Sequence, residues 1–231
     1  IIDDSKNPAT RPSAIESAIA HIERSLCPNG TGHEGIPDGE LAGYEWRAIF
    51  RWAERENLVI PSQLAPERVG GREHDLTFLP LERRWRKFTK PDGCGLMVDF
   101  ADDVRIASKH SLAISEASAL QNSFWGDDVR LEGVQITVPG ARIVTTQPDV
   151  KGEAPTQDFL NDYLCGEFGF RKLKIAPMGY YKSHSYLQGR FAMFDVHPAN
   201  FVQVSSMVIL PIDVIMMECD GFELAALEAA L

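Results

Sequence analysis

The spacing of apolar positions predicts helices at the start of the chain. Ser13 and Glu16 have the spacing of a capping box, and Ile15, Ile19 and Ile22 recur at intervals of four and three residues. This pattern predicts a first helix that ends near Cys27 and a second helix over residues 40–57. We therefore expect residues 1–69 to form an N-terminal helical segment.

From residue 70 onward the pattern alternates with period two, which predicts strands. Residues around Leu76 and residues 84–89 alternate on either side of a turn, so they form a predicted hairpin. On its return strand Lys87 shares one face with Trp85 and Thr89. The remaining predicted elements are a helix over 106–124, strands over 130–138 and 142–146, a helix over 157–168, and short strands over 191–194 and 208–215. This order is typical of an α+β fold with two lobes joined by one connector.

The composition and net charge mainly exclude certain partners and kinds of site. The chain is 44% hydrophobic and 24% charged, as expected of a soluble globular protein, and its net charge of −10 argues against a nucleic-acid partner. The 4 cysteines lack metal-binding spacing, so we expect no zinc site and a cytoplasmic location. The most apolar run, Met207–Met217, is too short to span a bilayer, so no membrane association is expected.

The clearest chemical pattern is Asp195–Asn200, in which an asparagine follows an acid across a His-Pro loop. A carboxylate at Asp195 would meet an acceptor hydroxyl, and the amide oxygen of Asn200 would reach a magnesium ion on bound phosphates. His197 would direct a donor at the transferred phosphate. The alternative for this loop is an ordinary turn.

Asp213 adds a second acid, 18 residues after Asp195, at the end of an apolar run. An acid in such surroundings is costly to bury unless it is paired or binds a metal, although it could also cap a strand end. We expect Asp195, Asn200 and Asp213 to share one pocket. Two carboxylates that close repel each other, so the pKa of at least one of them should be raised.

These motifs resemble the serine/threonine/tyrosine kinase-like domains in polyvalent proteins of phages and mobile elements. The catalytic loop is also similar to that of aminoglycoside-phosphotransferase-like kinases. The resemblance covers about residues 70–217. The segments that carry it are Glu73-His74, Arg84–Thr89, Gln121–Asp128, Leu131–Gly133, Ile143–Pro148, Phe194–Asn200 and Pro211–Asp213.

The resemblance implies a Mg²⁺- and ATP-dependent phosphotransferase and gives the matching residues roles. These roles are catalysis by Asp195, His197 and Lys87, contact with the nucleotide phosphates by Lys87 paired with Glu116, and Mg²⁺ binding by Asn200 and Asp213. Adenine would meet the backbone of a hinge formed by Gln147, Pro148, Asp149 and Val150. The implied fold is a compact, two-lobed, protein-kinase-like fold with its N-lobe and hinge at 70–150 and a reduced C-lobe at 151–231.

Three functions remain open at this point. The resemblance favours a protein hydroxyl as the phosphate acceptor, whereas the His-Pro loop fits a small-molecule kinase equally well. No glycine-rich G-x-G-x-x-G loop precedes Lys87, and only 18 residues follow Asp213, too few for a full substrate-binding helical subdomain. These departures keep open a catalytically silent kinase fold that serves as a nucleotide-binding or interaction module.

Overall fold

The computed structural model describes residues 13–26, 38–70, 73–91, 96–100, 105–108, 111–138 and 140–231. Within these residues the chain is a mixed α+β protein, as the sequence predicts. Of the helices in this part of the chain, none combines the length and the apolar character that a bilayer span requires.

Helices and strands alternate along the described residues. The α-helices are α1 (Ala14–Leu26), α2 (Asp38–Glu56), α3 (Ser111–Trp125), α4 (Gln157–Gly166) and α5 (Gly221–Glu228). The strands are β1 (Val59–Ile60), β2 (His74–Leu79), β3 (Arg84–Thr89), β4 (Leu96–Asp99), β5 (Arg105–Ser108), β6 (Arg130–Ile136), β7 (Ala141–Pro148), β8 (Arg171–Lys172), β9 (His184–Gln188), β10 (Phe191–Val196), β11 (Phe201–Ser205), β12 (Val208–Pro211) and β13 (Ile215–Glu218).

These elements form two compact units that interleave along the chain. The first unit takes the described residues of Ile1–Gly95, Lys109–Ala119 and Asp128–Gln147. The second unit takes those of Leu96–Ser108, Leu120–Asp127 and Pro148–Leu231. The sequence-based segments divide the chain at 69/70 and 150/151. They do not separate Leu96–Ser108 and Leu120–Asp127, which belong to the second unit, from the residues of the first unit around them.

The first unit is built on a five-stranded sheet in the order β1-β6-β7-β3-β2. The predicted hairpin of β2 and β3 is confirmed, and Lys87 lies opposite Leu76 in it. Arg84, which is buried, donates to the Thr146 hydroxyl and to the Asp128 carboxylate. These hydrogen bonds link β3 to β7 and to the residues that precede β6.

Helices α1 and α2 pack against this sheet, and the capping box predicted for α1 is confirmed. The Ser13 backbone N–H donates to the Glu16 carboxylate at 2.7 Å, and the Glu16 N–H donates to the Ser13 hydroxyl at 3.2 Å. Trp52 of α2 is fully buried and its indole N–H donates to Ser17 of α1. The helical residues 13–26 and 38–56 thus belong to the core of the first unit.

The second unit holds an antiparallel four-stranded sheet in the order β13-β10-β9-β8, and the separate hairpins β4–β5 and β11–β12. Its core combines residues of β9, β10 and β13 with Leu160 and Leu164 of α4. Helix α4 begins at Thr156, whose hydroxyl accepts from the Phe159 N–H. The strand β10 lies inside this sheet, and its residues Ala192–Phe194 have no exposed surface.

Two sequence predictions in this region are wrong. The helix predicted over 106–124 begins only at Ser111, because residues 105–108 form β5 and pair with β4. A short apolar run fits a strand as well as a helix, and here pairing with another strand decides between the two. The strand predicted over 208–215 is two strands, β12 and β13, separated by the residues around Asp213. The proline at the end of β12 favours this interruption.

Candidate active site

Asp195 lies at an irregularity in the otherwise buried strand β10. The pairing of β10 with β9 shifts register between Met193 and Val196, and Asp195 has a φ of 55°. A left-handed φ is uncommon outside glycine, and aspartate is one of the few residues that tolerate it. Such a bulge redirects one side chain out of the strand pattern, so the Asp195 carboxylate leaves the core side of the sheet.

Three neighbours hold the Asp195 carboxylate. The backbone N–H of Tyr180 donates to Oδ1 at 2.8 Å, and the Nδ2 of Asn200 donates to Oδ2 at 3.1 Å. The Nε2 of His197 lies 3.8 Å from Oδ1, and the His197 ring packs on the Tyr180 ring with 4.7 Å between centroids. The carboxylate is therefore fixed in orientation by groups on both sides of it.

Burial raises the pKa of the Asp195 carboxyl above its ordinary value, because the charged form loses hydration. The Tyr180 N–H, the charge of His197 and the Asn200 amide each act in the opposite direction and only partly offset this. The negative charge of Asp213 raises the pKa further, as the smallest of these effects. The predicted rise is confirmed for Asp195, but its main cause is burial and not the predicted repulsion between the two acids.

Gly179 permits the close approach of the Tyr180 loop to Asp195. It has a φ of 76°, and a Cβ built on it would lie 2.7 Å from Oδ2 of Asp195 and closer still to Cγ and Oδ1. Any side chain here would have to displace the carboxylate. The loop and the acid thus form one packed unit.

Asn200 ends a short 3₁₀ helix, Pro198–Asn200, and is 8% exposed. Its Nδ2 donates to the backbone carbonyl of Asp195 at 2.9 Å as well as to the carboxylate. With both amide hydrogens used in this way, Oδ1 is the atom of the Asn200 side chain that could bind a cation. The Asn200 carbonyl also accepts from the Ile212 N–H at 2.8 Å, which brings the residue before Asp213 to the loop.

The donor set of these residues fits a magnesium ion. Mg²⁺ prefers oxygen ligands and is usually held by one or two carboxylates, with waters and substrate phosphates completing its shell. Asn200 offers an amide oxygen and Asp213 an exposed carboxylate whose charge acts on Asp195. Among the described residues, no group of three or more His, Cys, Asp or Glu side chains could hold a metal. A site here would therefore depend on oxygens from the substrate.

A cavity of about 690 Å³ lies beside the loop 195–200 in the second unit. His197 and Tyr180, which both contact Asp195, form part of its wall, whereas Asp195, Asn200 and Asp213 are not lining residues. The full set of lining residues is Gln157, Pro177, Tyr180, Lys182, Ser183, His184, His197, Pro198 and Ala199.

Comparisons with protein-family models, with curated proteins and with solved structures found no match.

Lys87 and Glu116 belong to the first unit. Lys87 is half-buried on β3, between the half-buried Arg86 and the buried Phe88. Glu116 is exposed, so its predicted inward orientation is wrong. The buried positions of α3 include the polar residue Ser115. The inward face had been predicted from apolar positions alone, so a buried serine was not expected. The pairing of Glu116 with Lys87 stays a prediction.

The predicted hinge begins where β7 ends. Gln147 is buried, and the side chain of Asp149 is 6% exposed, with its Oδ2 at 2.7 Å from the Lys151 ammonium. In the described part of the chain no partner donates to or accepts from the backbone of Val150. Val150 thus keeps the backbone groups that adenine would need, and its role and those of Gln147, Pro148 and Asp149 stay predictions.

Sequence reasoning missed Gly179, Tyr180 and His184. The loop that carries Gly179 and Tyr180 contacts Asp195, which is 15 residues from Tyr180 in the sequence. No local motif predicts a contact of this kind. One signal was present: between Glu167 and Asp195 the chain contains no acidic residue although its net charge is −10. A stretch so free of acids in an acidic protein points to a surface that faces a negative ligand.

Proposed function

We propose that this chain is a Mg²⁺- and ATP-dependent phosphotransferase with a protein-kinase-like fold, acting on a hydroxyl group. The observation that carries the proposal is the arrangement at Asp195 and Asn200. An acid with a raised pKa is held by Tyr180 and by Asn200, whose amide nitrogen makes the bond and whose amide oxygen would bind the cation. Phosphoryl transfer relies on positioned groups of this kind more than on covalent chemistry.

The order of the elements supports the proposal. A lysine on β3 is followed by the helix α3, by a connector after β7, and then by the loop with Asp195 and Asn200. The hairpin β11–β12 leads to Asp213, and β13 then pairs with β10. This is the sequence of parts that kinase-type sites use, from a strand lysine to a second metal acid.

Each of these residues would have its own role in phosphoryl transfer. Asp195 would take the proton of the acceptor hydroxyl as its oxygen bonds to phosphorus, and its raised pKa brings it closer to the value a general base needs near neutral pH. Asn200 and Asp213 would hold Mg²⁺, which supplies positive charge to the phosphates. His197 packs against Tyr180 and lies against Oδ1 of Asp195, so it would keep the carboxylate oriented. Lys87 as a ligand of the nucleotide phosphates remains part of the proposal.

The proposal is tested by measuring Mg²⁺-dependent nucleotide binding and ADP release. Asp195→Asn should retain nucleotide binding and slow turnover by roughly two to four decades, which is the contribution of a positioned general base. Asp162→Asn is the matched control, because Asp162 is exposed on α4 and has no contact with Asp195. Lys87→Met should weaken nucleotide binding.

Three outcomes would decide against the proposal or narrow it. Wild-type protein that binds no Mg-ATP would overturn it. Nucleotide binding without turnover under any acceptor would leave a silent fold of the kind considered above. An active wild type whose Asp195→Asn variant turns over at the same rate would remove Asp195 as the base.

A further inference from the structure

The cavity beside the catalytic loop has apolar walls and a basic rim. Pro177, Tyr180, Pro198 and Ala199 supply flat apolar surface, and Lys182 adds an ammonium group. Its volume of about 690 Å³ falls in the range of pockets that hold small molecules, roughly 300–1,000 Å³. A folded protein substrate would contact a broader surface than this cavity provides.

The segment between Glu167 and Asp195, which supplies five of the nine lining residues, carries charge of one sign. Between Glu167 and Asp195 the chain contains Arg171, Lys172, Lys174, Lys182 and Arg190 and no acid. Arg190 pairs with Glu218, whereas the other four have no carboxylate partner within the described residues. Of these cations Lys182 lines the cavity, and because no ion pair among the residues described neutralises it, it favours a negatively charged ligand there.

His184 connects a second ammonium group to the cavity wall. The Lys172 Nζ lies 3.1 Å from His184 Nε2, and since an ammonium group only donates, Nε2 must accept. The Nδ1 of His184 lies 3.1 Å from the Asn161 Oδ1 and 3.2 Å from the Gln157 Nε2. Burial, and then the charge of Lys172, lower the pKa of His184, in agreement with a neutral ring. Lys172 and Lys182 are thus the two ammonium groups associated with this wall.

We propose that the cavity binds the phosphate acceptor, and that this acceptor is a small hydroxyl compound with an apolar body and an anionic group, carboxylate or phosphate. The inference rests on the proposed function, since it takes Asp195 as the base. Lys182 would hold the anionic group and the walls at Pro177 and Pro198 would hold the apolar body. The hydroxyl would lie on the side of His197 and Tyr180, the two lining residues that contact Asp195.

The transfer step balances with ATP as the co-substrate. The acceptor oxygen forms a bond to the γ-phosphorus of ATP while the bond from that phosphorus to the β-phosphate oxygen breaks. The hydroxyl proton passes to Asp195, and ADP leaves. The products are therefore ADP and a phosphate ester that carries more negative charge than the acceptor did.

The first test is binding without nucleotide, measured by isothermal titration and by ligand-observed NMR. The probes are two matched pairs: 4-hydroxyphenylacetate with its neutral amide, and 4-hydroxyphenyl phosphate with hydroquinone. We expect the anionic member of at least one pair to bind and its neutral match to bind at least about tenfold more weakly, as the loss of one charged hydrogen bond implies. Which pair responds separates a carboxylate from a phosphate ligand.

Lys182→Met should reduce the affinity of the anionic probe by a similar factor, and Lys174→Met should leave it unchanged. Lys174 lies in the same acid-free stretch and carries the same charge, but it does not line the cavity. Lys182 is exposed in a turn with its ammonium group over the Tyr181 ring, so its replacement should not disturb folding.

The outcomes separate this inference from the proposed function. Failure of both anions to bind, equal binding of charged and neutral probes, or an unchanged affinity in Lys182→Met would overturn the acidic-acceptor inference. Labelled phosphate from ATP that appears on proteins and not on small acids would also overturn it. Binding that depends on Lys182 without any ADP release would leave the cavity as a site for small anions and remove both its acceptor role and the phosphotransferase.

Discussion

Replacing Gly179 by alanine should damage the site through one defined contact. The new Cβ would lie 2.7 Å from Oδ2 of Asp195, a separation that real Cβ atoms do not show. The carboxylate would have to move, and it would lose the hydrogen bond from the Tyr180 N–H. The backbone at position 179 would also be strained, because its φ of 76° is unfavourable for alanine.

Gly169 supplies the matched control for this substitution. Its φ is 70°, but a Cβ built on it would meet nothing within 4 Å. Gly169→Ala should therefore cost only the left-handed strain, about 1–2 kcal/mol. Gly179→Ala should cost this strain plus one hydrogen bond to a charged group, about 2.5–5 kcal/mol in all.

Urea denaturation followed by fluorescence measures this difference in the free energy of unfolding. The proposed function adds a second measurement, since a base displaced by about 1 Å should reduce kcat/KM by about a hundredfold in Gly179→Ala and not in Gly169→Ala. Equal stability and equal turnover in the two variants would refute the argument that Asp195 is packed against Gly179.

Further predictions concern Asp213, Arg84 and the pH dependence of Asp195. Asp213→Asn should lower the pKa of Asp195, because a nearby negative charge is removed. The pKa should stay above its ordinary value of 3.8, because burial is the larger cause. A carbon-13 NMR titration of the carboxyl measures this pKa, and a rise would contradict the prediction. Turnover should decline as the pH falls through the raised pKa of Asp195, since the base must be ionised, and a pH profile with no such acid limb would contradict its role. Arg84→Met should destabilise the protein by at least about 2 kcal/mol through its lost buried hydrogen bonds, whereas Arg190→Met, which loses an exposed ion pair, should cost less than about 1 kcal/mol in the same urea experiment.

Local patterns predicted the parts of the fold that depend on neighbours in sequence. The capping box at Ser13 and Glu16 and the hairpin of β2 and β3 each involve residues within one turn of helix or one pair of strands. The segment 105–108 was missed because its outcome depends on pairing with β4 and not on its own composition. Strand β13 was merged with β12 because both are apolar and only the turn between them separates them.

In the candidate site, too, contacts between residues close in sequence were predictable, and contacts between distant residues were not. Asp195 and Asn200 are five residues apart, and one short loop suffices to bring them into contact, so their spacing was informative. Tyr180 reaches Asp195 from another loop through a backbone N–H, which leaves no trace in the identity of its side chain. The orientation of Glu116 depended on which face of α3 is buried, and polar residues such as Ser115 occupy that face.

The left-handed backbone at Asp195 restricts which residues a library of variants can accept there. At a φ of 55°, asparagine and glycine cost little, whereas glutamate, usually regarded as the nearest substitute, has no such tolerance for this conformation. Its additional methylene would also extend into the space held by Gly179. A saturation screen for folded protein should therefore retain Asp195→Asn and Asp195→Gly and discard Asp195→Glu, so that backbone geometry, as well as chemistry, decides which acid occupies this position.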